Sequence, residues 1–272
     1  MQNKEIAEMA RQIRIDALTA ITKAKSGHPG GSLSVIDILA VLYFGIIKHN
    51  PKNPKDSERD IVVLSKGHAS PAMYATLANA GYFERQDFIE NFRKIHSKFQ
   101  GHVDHLKVAG IEVSTGSLGQ GLSMANGIAL AYKLDKKTNR VFAILSDGEL
   151  QEGQNWEAII AAAHYNLGNL IVIIDANKIQ LSGRIENIMS LGDLETKFKA
   201  FSWDTQIIDG HDISQIKTTL EKAYTRDING KPKVIIANTI KGKGVSFMED
   251  TEKWHGSAPS QEDLQKALLE LK

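Results

Sequence analysis

Cysteine is missing from the chain altogether, which excludes disulfide scaffolds, thiolate zinc sites, iron–sulfur clusters and a cysteine nucleophile at once. An excess of charge of either sign is missing too. Lys plus Arg number 33 and Asp plus Glu 32 among 272 residues, a formal net charge of +1, so a protein that coats nucleic acid or an anionic membrane is not expected. No apolar run approaches the roughly 18 residues of a membrane helix. The charged, helix-patterned start from Met1 to Arg14 lacks the n-region and h-region of a signal peptide. Repeats, low-complexity tracts and Ser/Gly linkers are absent, so nothing marks a domain boundary. The expectation is one soluble, cytoplasmic domain over residues 1–272, with no nucleic-acid or membrane partner. The 42% hydrophobic share is enough for a sizeable core.

What is present is a set of short β-branched runs: Ile61 to Leu64, Val141 to Leu145, Leu170 to Ile174 and Val234 to Ala237, with a weaker one at Gln206 to Ile208. The four strong runs are apolar throughout rather than alternating, the pattern of strands buried on both faces. Helical signals fall between them. Ser70-Pro71 opens an Ala/Leu-rich stretch that ends before Gly81, with Ser70 as N-cap. Asp212 to Gln215 and Ser260 to Asp263 read as capping boxes. Gly121 to Leu134 is apolar and rich in small residues, and Lys48 to Asp60 reads as a solvated loop. Alternating strands and helices predict an α/β fold, a single parallel sheet with helices on both faces.

Ligands of such a sheet bind beyond the carboxyl ends of its strands. The residues that follow the runs are Ser65-Lys66-Gly67-His68, Ser146-Asp147-Gly148-Glu149, Asp175-Ala176-Asn177-Lys178 and Asn238-Thr239. Asp-Gly alone is a common turn, and an asparagine after a strand often satisfies only a turn. Together they say more. Asp147 and Asn177 lie 30 residues apart, the span of one strand–helix–strand crossover, which brings both oxygens to adjacent strand tips. Two such oxygens are too few to hold Mg²⁺, which prefers six and completes its shell with phosphate and water. The rim therefore predicts a phosphorylated cofactor or substrate. Neither a P-loop nor a G-x-G-x-x-G after a strand occurs, which argues against an ordinary P-loop or nicotinamide site.

Ser146-Asp147-Gly148 followed by Asn177 resembles the thiamine diphosphate motif, Gly-Asp-Gly and then Asn, with serine in place of the first glycine. The resemblance implies Asp147, Asn177 and the Ile179 carbonyl as metal ligands, Mg²⁺ and Ca²⁺ not being distinguished, and Gly148 beside the diphosphate. Further segments are similar to the transketolase family: Ser26-Gly27-His28-Pro29-Gly30, Ser65-Lys66-Gly67-His68-Ala69, Gly101-His102, Thr115 to Gly121, Leu150-Gln151-Glu152-Gly153 and Trp254-His255-Gly256. They run over nearly the whole chain but match only the first part of a full-length enzyme. Transketolases move a two-carbon ketol unit between sugar phosphates, with the cofactor's thiazolium as nucleophile and electron sink. The likeness implies that His68 and His255 contact the diphosphate. It also puts His28, His102 and His255 at the substrate as catalytic residues, Gly116 and Leu118 beside the cofactor, and Glu152 and Glu157 at a subunit interface. Histidine suits proton exchange with sugar hydroxyls near neutral pH. His49, His96, His105, His164 and His211 are read as surface or structural. Lys241-Gly242-Lys243-Gly244 is a secondary candidate near the cofactor.

The pyrimidine-binding and carboxy-terminal domains of that family have no counterpart in this chain. The expectation is thus the amino-terminal subunit of a split transketolase, completed by a carboxy-terminal subunit in an α₂β₂ assembly and acting on sugar phosphates. Another thiamine enzyme, deoxyxylulose-phosphate synthase-like or a 2-oxoacid dehydrogenase E1 component, would keep Asp147 and Asn177. It would not be expected to join Leu150-Gln151-Glu152-Gly153 with His28 and His255. A non-catalytic assembly subunit would bind no cofactor even with its partner.

Overall fold

In the computed structural model, which describes residues 1–225 and 227–272, the chain order is as follows. First come α1 (Asn3–Ala24), α2 (Pro29–Val41), β1 (Ile61–Leu64), α3 (Ser70–Asn79), α4 (Arg85–Asn91) and α5 (Gln120–Leu134). Next are β2 (Val141–Ser146), α6 (Gly153–His164), β3 (Leu170–Ala176), a short hairpin of β4 (Ile179–Gln180) and β5 (Gly183–Arg184), and α7 (Ile185–Ile188). The last are α8 (Leu194–Ala200), β6 (Asp204–Asp209), α9 (Ile213–Thr225), β7 (Lys233–Asn238) and α10 (Gln261–Glu270). All five apolar runs of the sequence are strands of one parallel sheet, ordered β1-β2-β3-β7-β6.

Period-two geometry sends alternate side chains of each strand into different cores. Val62, Phe142, Ile144, Ile171, Ile173 and Ile235 face α1, α2, α3 and α9. Val63, Val141, Ala143, Val172, Ile174 and Val234 face α5, α6 and α8. Both faces are thus covered, which is why the runs are apolar throughout. After β3 the chain turns toward α8 on one face, whereas after β7 it turns toward α10 on the other. The crevice where adjacent strand tips diverge is the expected ligand position.

Four local expectations need correction. Ser70 does not cap α3; its hydroxyl donates to the Gly101 carbonyl at 2.8 Å, tying the helix to the loop that carries His102. Asp212 accepts from Gln215 N at 3.0 Å, but the Gln215 side chain accepts from Asp209 N, so no reciprocal box forms there. The Ser260–Asp263 box is complete. In the segment from Lys48 to Asp60, Asp60 is buried and accepts from Lys48 N, Arg140 N and the Tyr224 hydroxyl. Finally, Pro29–Ile46 is long and apolar enough to cross a membrane, with a mean hydropathy of 1.6, despite Ser32, Ser34 and Asp37. It is 83% buried inside the protein, as a core helix is.

Candidate active site

His28 stands at the head of α2, where Pro29 in the first turn starts the helix. His68 sits in a 3₁₀ turn after β1. His102 follows Gly101, and His255 lies in the segment between β7 and α10. Their four rings meet: His28 is 5.3 Å from His68, 6.1 Å from His102 and 5.8 Å from His255, centroid to centroid, and His68 is 5.5 Å from His255. Gly116 completes this side. A Cβ there would stand 3.0 Å from the His102 ring.

Beside the rings, a cavity of about 300 Å³ is lined by His68, Leu118, Asp147, Asn177, Lys241 and His255, with Gly148 and Ile179 at its wall. The residues singled out from the sequence therefore gather at one rim. The five histidines read as structural lie elsewhere, and His211 shows why it is needed there. Its Nδ1 is 2.7 Å from Asp37 and its Nε2 accepts from Ile240 N at 2.8 Å.

Asp147 is buried, with one carboxylate oxygen accepting from Gly148 N at 2.9 Å and the other from Lys178 N at 2.6 Å. Burial pushes its pKa up to about 6, against the lowering effect of those two N–H groups. Asn177 accepts from Ile179 N at 3.2 Å, and the Ile179 carbonyl accepts from Lys241 Nζ at 2.8 Å. Among the described residues no three acidic or histidine side chains gather as a metal cluster. A divalent cation would have one carboxylate, one amide and one carbonyl oxygen, a hard donor set that leaves room for phosphate and water. A desolvated carboxylate that has no ion-pair partner among the described residues suits a cation, and the Asn177 and Ile179 oxygens beside it are donors of the kind Mg²⁺ takes, so the residues fit the implied group.

The imidazoles are held neutral. Burial, then the positive charges of Arg93 and Lys241, lower His28 to about 4. Burial and Lys241 lower His255 to about 3. Burial brings His68 well below its ordinary value, with Lys66 adding to it, and His102 falls for the same first reason with Arg93 adding. Lys241 itself drops to about 8, through burial and the nearby Lys66. Its Nζ lies 2.7 Å from His255 Nδ1.

Sequence reasoning missed the scaffold beneath these groups. Lys66 and Asp175 form an ion pair with both side chains fully buried, and Lys66 also donates to the Gly31 carbonyl at 2.8 Å. Burial alone would raise the Asp175 pKa, yet Lys66 and the Ser34 and Thr239 hydroxyls hold it below the ordinary value. Both residues stood among those that follow the strands, but nothing in the sequence pairs positions so far apart. The serine in place of the motif's first glycine is accommodated, since Ser146 Oγ accepts from Glu149 N at 3.3 Å. Glu149, buried, receives Gly119 N at 2.9 Å and the Ser65 hydroxyl. Arg93 carried no sequence signal. Its Nη1 donates to Ser26 Oγ at 2.8 Å, and Nη2 is 3.4 Å from His28 Nδ1.

Comparison with known proteins matches residues 5–271 to the family described as transketolase, thiamine diphosphate binding domain. The chain is 42% identical over 270 residues to the 6-deoxy-6-sulfo-D-fructose transketolase subunit SqwG of Clostridium sp. (strain MSTE9), covering 99% of this chain and 97% of that one. It is 41% identical over 270 residues to an apulose-4-phosphate transketolase subunit of Actinobacillus succinogenes, at 98% and 96% coverage. The solved transketolase of Campylobacter jejuni superposes with a TM-score of 0.92 at 35% identity. That match covers all of this chain but only 43% of the other.

Proposed function

This chain belongs to the transketolase family as its thiamine-diphosphate-binding domain, and on that premise we propose that it is the amino-terminal subunit of a two-chain transketolase. Ketol transfer between sugars is the family's reaction. The observation that carries the proposal is the meeting of four neutral imidazoles beside the Asp147–Asn177–Ile179 rim. The split is supported by coverage. The chain spans nearly the full length of relatives named as subunits, and less than half of the solved single-chain enzyme.

Asp147, Asn177 and the Ile179 carbonyl would hold Mg²⁺, with Gly148, His68 and Leu118 against the cofactor. When bound, thiamine diphosphate supplies the nucleophilic and electron-accepting carbon chemistry. The chain's own part is positioning and proton transfer. His28, His102 and His255 face the substrate as the catalytic residues. Because they are uncharged near pH 7, each can offer one N–H and one lone pair to sugar hydroxyls and the carbonyl oxygen. Arg93 Nη2 can only donate, so at His28 it favours the tautomer whose proton is on Nε2. The half-buried Leu118 and Gly116 restrict water at the wall beside them.

A carboxy-terminal transketolase subunit completes the site, in an α₂β₂ assembly acting on sugar phosphates. Met124 on α5 and Ile160 on α6, 41% and 52% exposed, support a subunit contact on that face beside Glu152 and Glu157. The test is an assay of xylulose 5-phosphate with ribose 5-phosphate, first with this chain alone and then with the adjacent-gene product. Turnover is expected only in the second case. Full turnover by the isolated chain defeats the two-chain reading, and no turnover by the pair defeats the assignment to ketol transfer.

A further inference from the structure

Lys241 reaches the Ile179 carbonyl and His255 from the loop beyond β7, and that loop is fixed from outside the cavity. Its backbone is held almost residue by residue. Thr239 N donates to the Ala176 carbonyl at 3.2 Å, and Gly242 N to the Gly30 carbonyl at 3.0 Å. Between them, Ile240 N donates to a side chain, His211 Nε2, at 2.8 Å. His211 stands in the turn between β6 and α9. Gly210 brings that turn close to the loop. Its N donates to the Asn238 carbonyl at 2.8 Å, and a Cβ there would fall 2.4 Å from Thr239 Cγ2.

Two further side chains hold the ring. His211 Nδ1 is 2.7 Å from Asp37 Oδ2 on α2, and Arg14 on α1 donates to both oxygens of that carboxylate, at 2.9 and 2.6 Å. Burial alone would raise the Asp37 pKa, yet Arg14 and then His211 hold it below the ordinary value. A carboxylate only accepts, and a backbone N–H only donates. The imidazole between them therefore carries its proton on Nδ1 and offers a lone pair at Nε2. Arg14 Nε also donates to the Lys243 carbonyl at 3.2 Å. The residues before and after the Lys241-Gly242 step are thus tied to one cluster, whose side chains are only 9% to 12% exposed. None of the three is among the residues lining the cofactor cavity.

We propose that His211 is a positioning residue of the active site, which by accepting the Ile240 amide aims Lys241 at the Ile179 carbonyl and at His255. The consequence falls on His255. An ammonium only donates, so Lys241 Nζ at Nδ1 leaves the proton of that ring on Nε2. Without an acceptor at His211 the partly buried Ile240 N–H must find another, and the loop moves to supply it. Lys241 then leaves His255 Nδ1, and both tautomers of the ring become populated. For its bearing on turnover the inference rests on the proposed ketol transfer.

Two variants separate positioning from plain support of Asp37. In His211→Gln the side-chain oxygen can take the place of Nε2 and still accept from Ile240. In His211→Asn the shorter amide reaches only the place of Nδ1 and keeps only the contact with Asp37. In the two-chain enzyme, His211→Asn should lower kcat and the affinity for thiamine diphosphate about tenfold each. His211→Gln should restore most of both. Equal losses in the two variants, a fuller recovery with asparagine, or no loss in either overturns the proposal. A second measurement needs neither turnover nor a folded variant: ¹⁵N NMR of the wild-type chain alone. It should show a scalar coupling across the hydrogen bond from Ile240 N to His211 Nε2, and His255 as a single tautomer protonated on Nε2. Absence of either overturns the positioning role. Both together support it even if the pair of chains shows no ketol transfer, a result that defeats only the functional reading.

Discussion

Lys241 Nζ donates to the carbonyl oxygen of Ile179 at 2.8 Å, so a lysine ammonium already uses the backbone oxygen assigned to the divalent cation. Two cations cannot share that oxygen without repulsion. Lys241→Met should therefore tighten binding of Mg²⁺ alone severalfold, while weakening binding of the diphosphate-bearing cofactor about tenfold through loss of a positive charge. Calorimetric titrations of the metal with and without cofactor measure both. Equal weakening of the two would contradict this relationship.

Asp147 carries a second expectation. With its pKa at about 6, the carboxyl is protonated in acid and must lose that proton to ligate a metal. Affinity for cofactor plus Mg²⁺ should fall about tenfold per pH unit below 6 and flatten above about 7. Asp147→Asn should abolish the metal-dependent part of binding at every pH. Affinity that is flat from pH 5 to 7 would remove Asp147 from the ligand set.

The neutral histidines make the fold acid-sensitive. His28 and His255 titrate near 4 and 3 in the folded chain and near 6.5 when unfolded. Between about pH 6.5 and 4 the unfolded chain binds the extra protons, so stability falls as pH falls through that window. Asp147, raised by burial, acts in the opposite direction between about 4 and 6 but is a single group. Thermal unfolding should show Tm dropping from pH 7 to pH 5, and His28→Gln/His255→Gln should flatten that slope. A slope unchanged in the double variant would mean that other groups set it.

Removing one partner of the Lys66–Asp175 pair leaves the other charge buried. Lys66→Met should cost about 3–5 kcal/mol in urea unfolding. The double change Lys66→Met/Asp175→Asn should recover most of it, because an amide can still use the Ser34 and Thr239 hydroxyls. No recovery would mean that the lysine acts through packing.

Two glycines of α5 should respond with opposite sign. A Cβ at Gly121 would stand 2.3 Å from Ser65 Oγ, whereas Gly127 has nothing within 4 Å. Gly121→Ala should destabilise by about 1–3 kcal/mol in urea unfolding. Gly127→Ala should stabilise the isolated chain by about 0.5–1 kcal/mol through helix propensity.

The strands were legible because each apolar run has the length of a strand and carries β-branched residues. Their order was not, because placing β7 between β3 and β6 depends on which face α9 packs against. α2 escaped notice for a related reason. All of its residues are buried, so no polar face writes a helical period into the sequence. Asp147 and Asn177 were readable from strand–helix–strand spacing, and the histidines from motif resemblance. Arg93 and the Lys66–Asp175 pair were not, since their meaning lies in contacts between segments far apart in the chain.

The buried bond from Lys66 to Asp175 links the loop beyond β1 to the end of β3, passing over the strand between them. The two loops on either side of β2 are thereby clamped before anything docks. Little ordering entropy remains to be lost at this edge. An incoming second chain meets a finished surface, and its association rate should be governed by collision and charge rather than by the folding of a mobile segment.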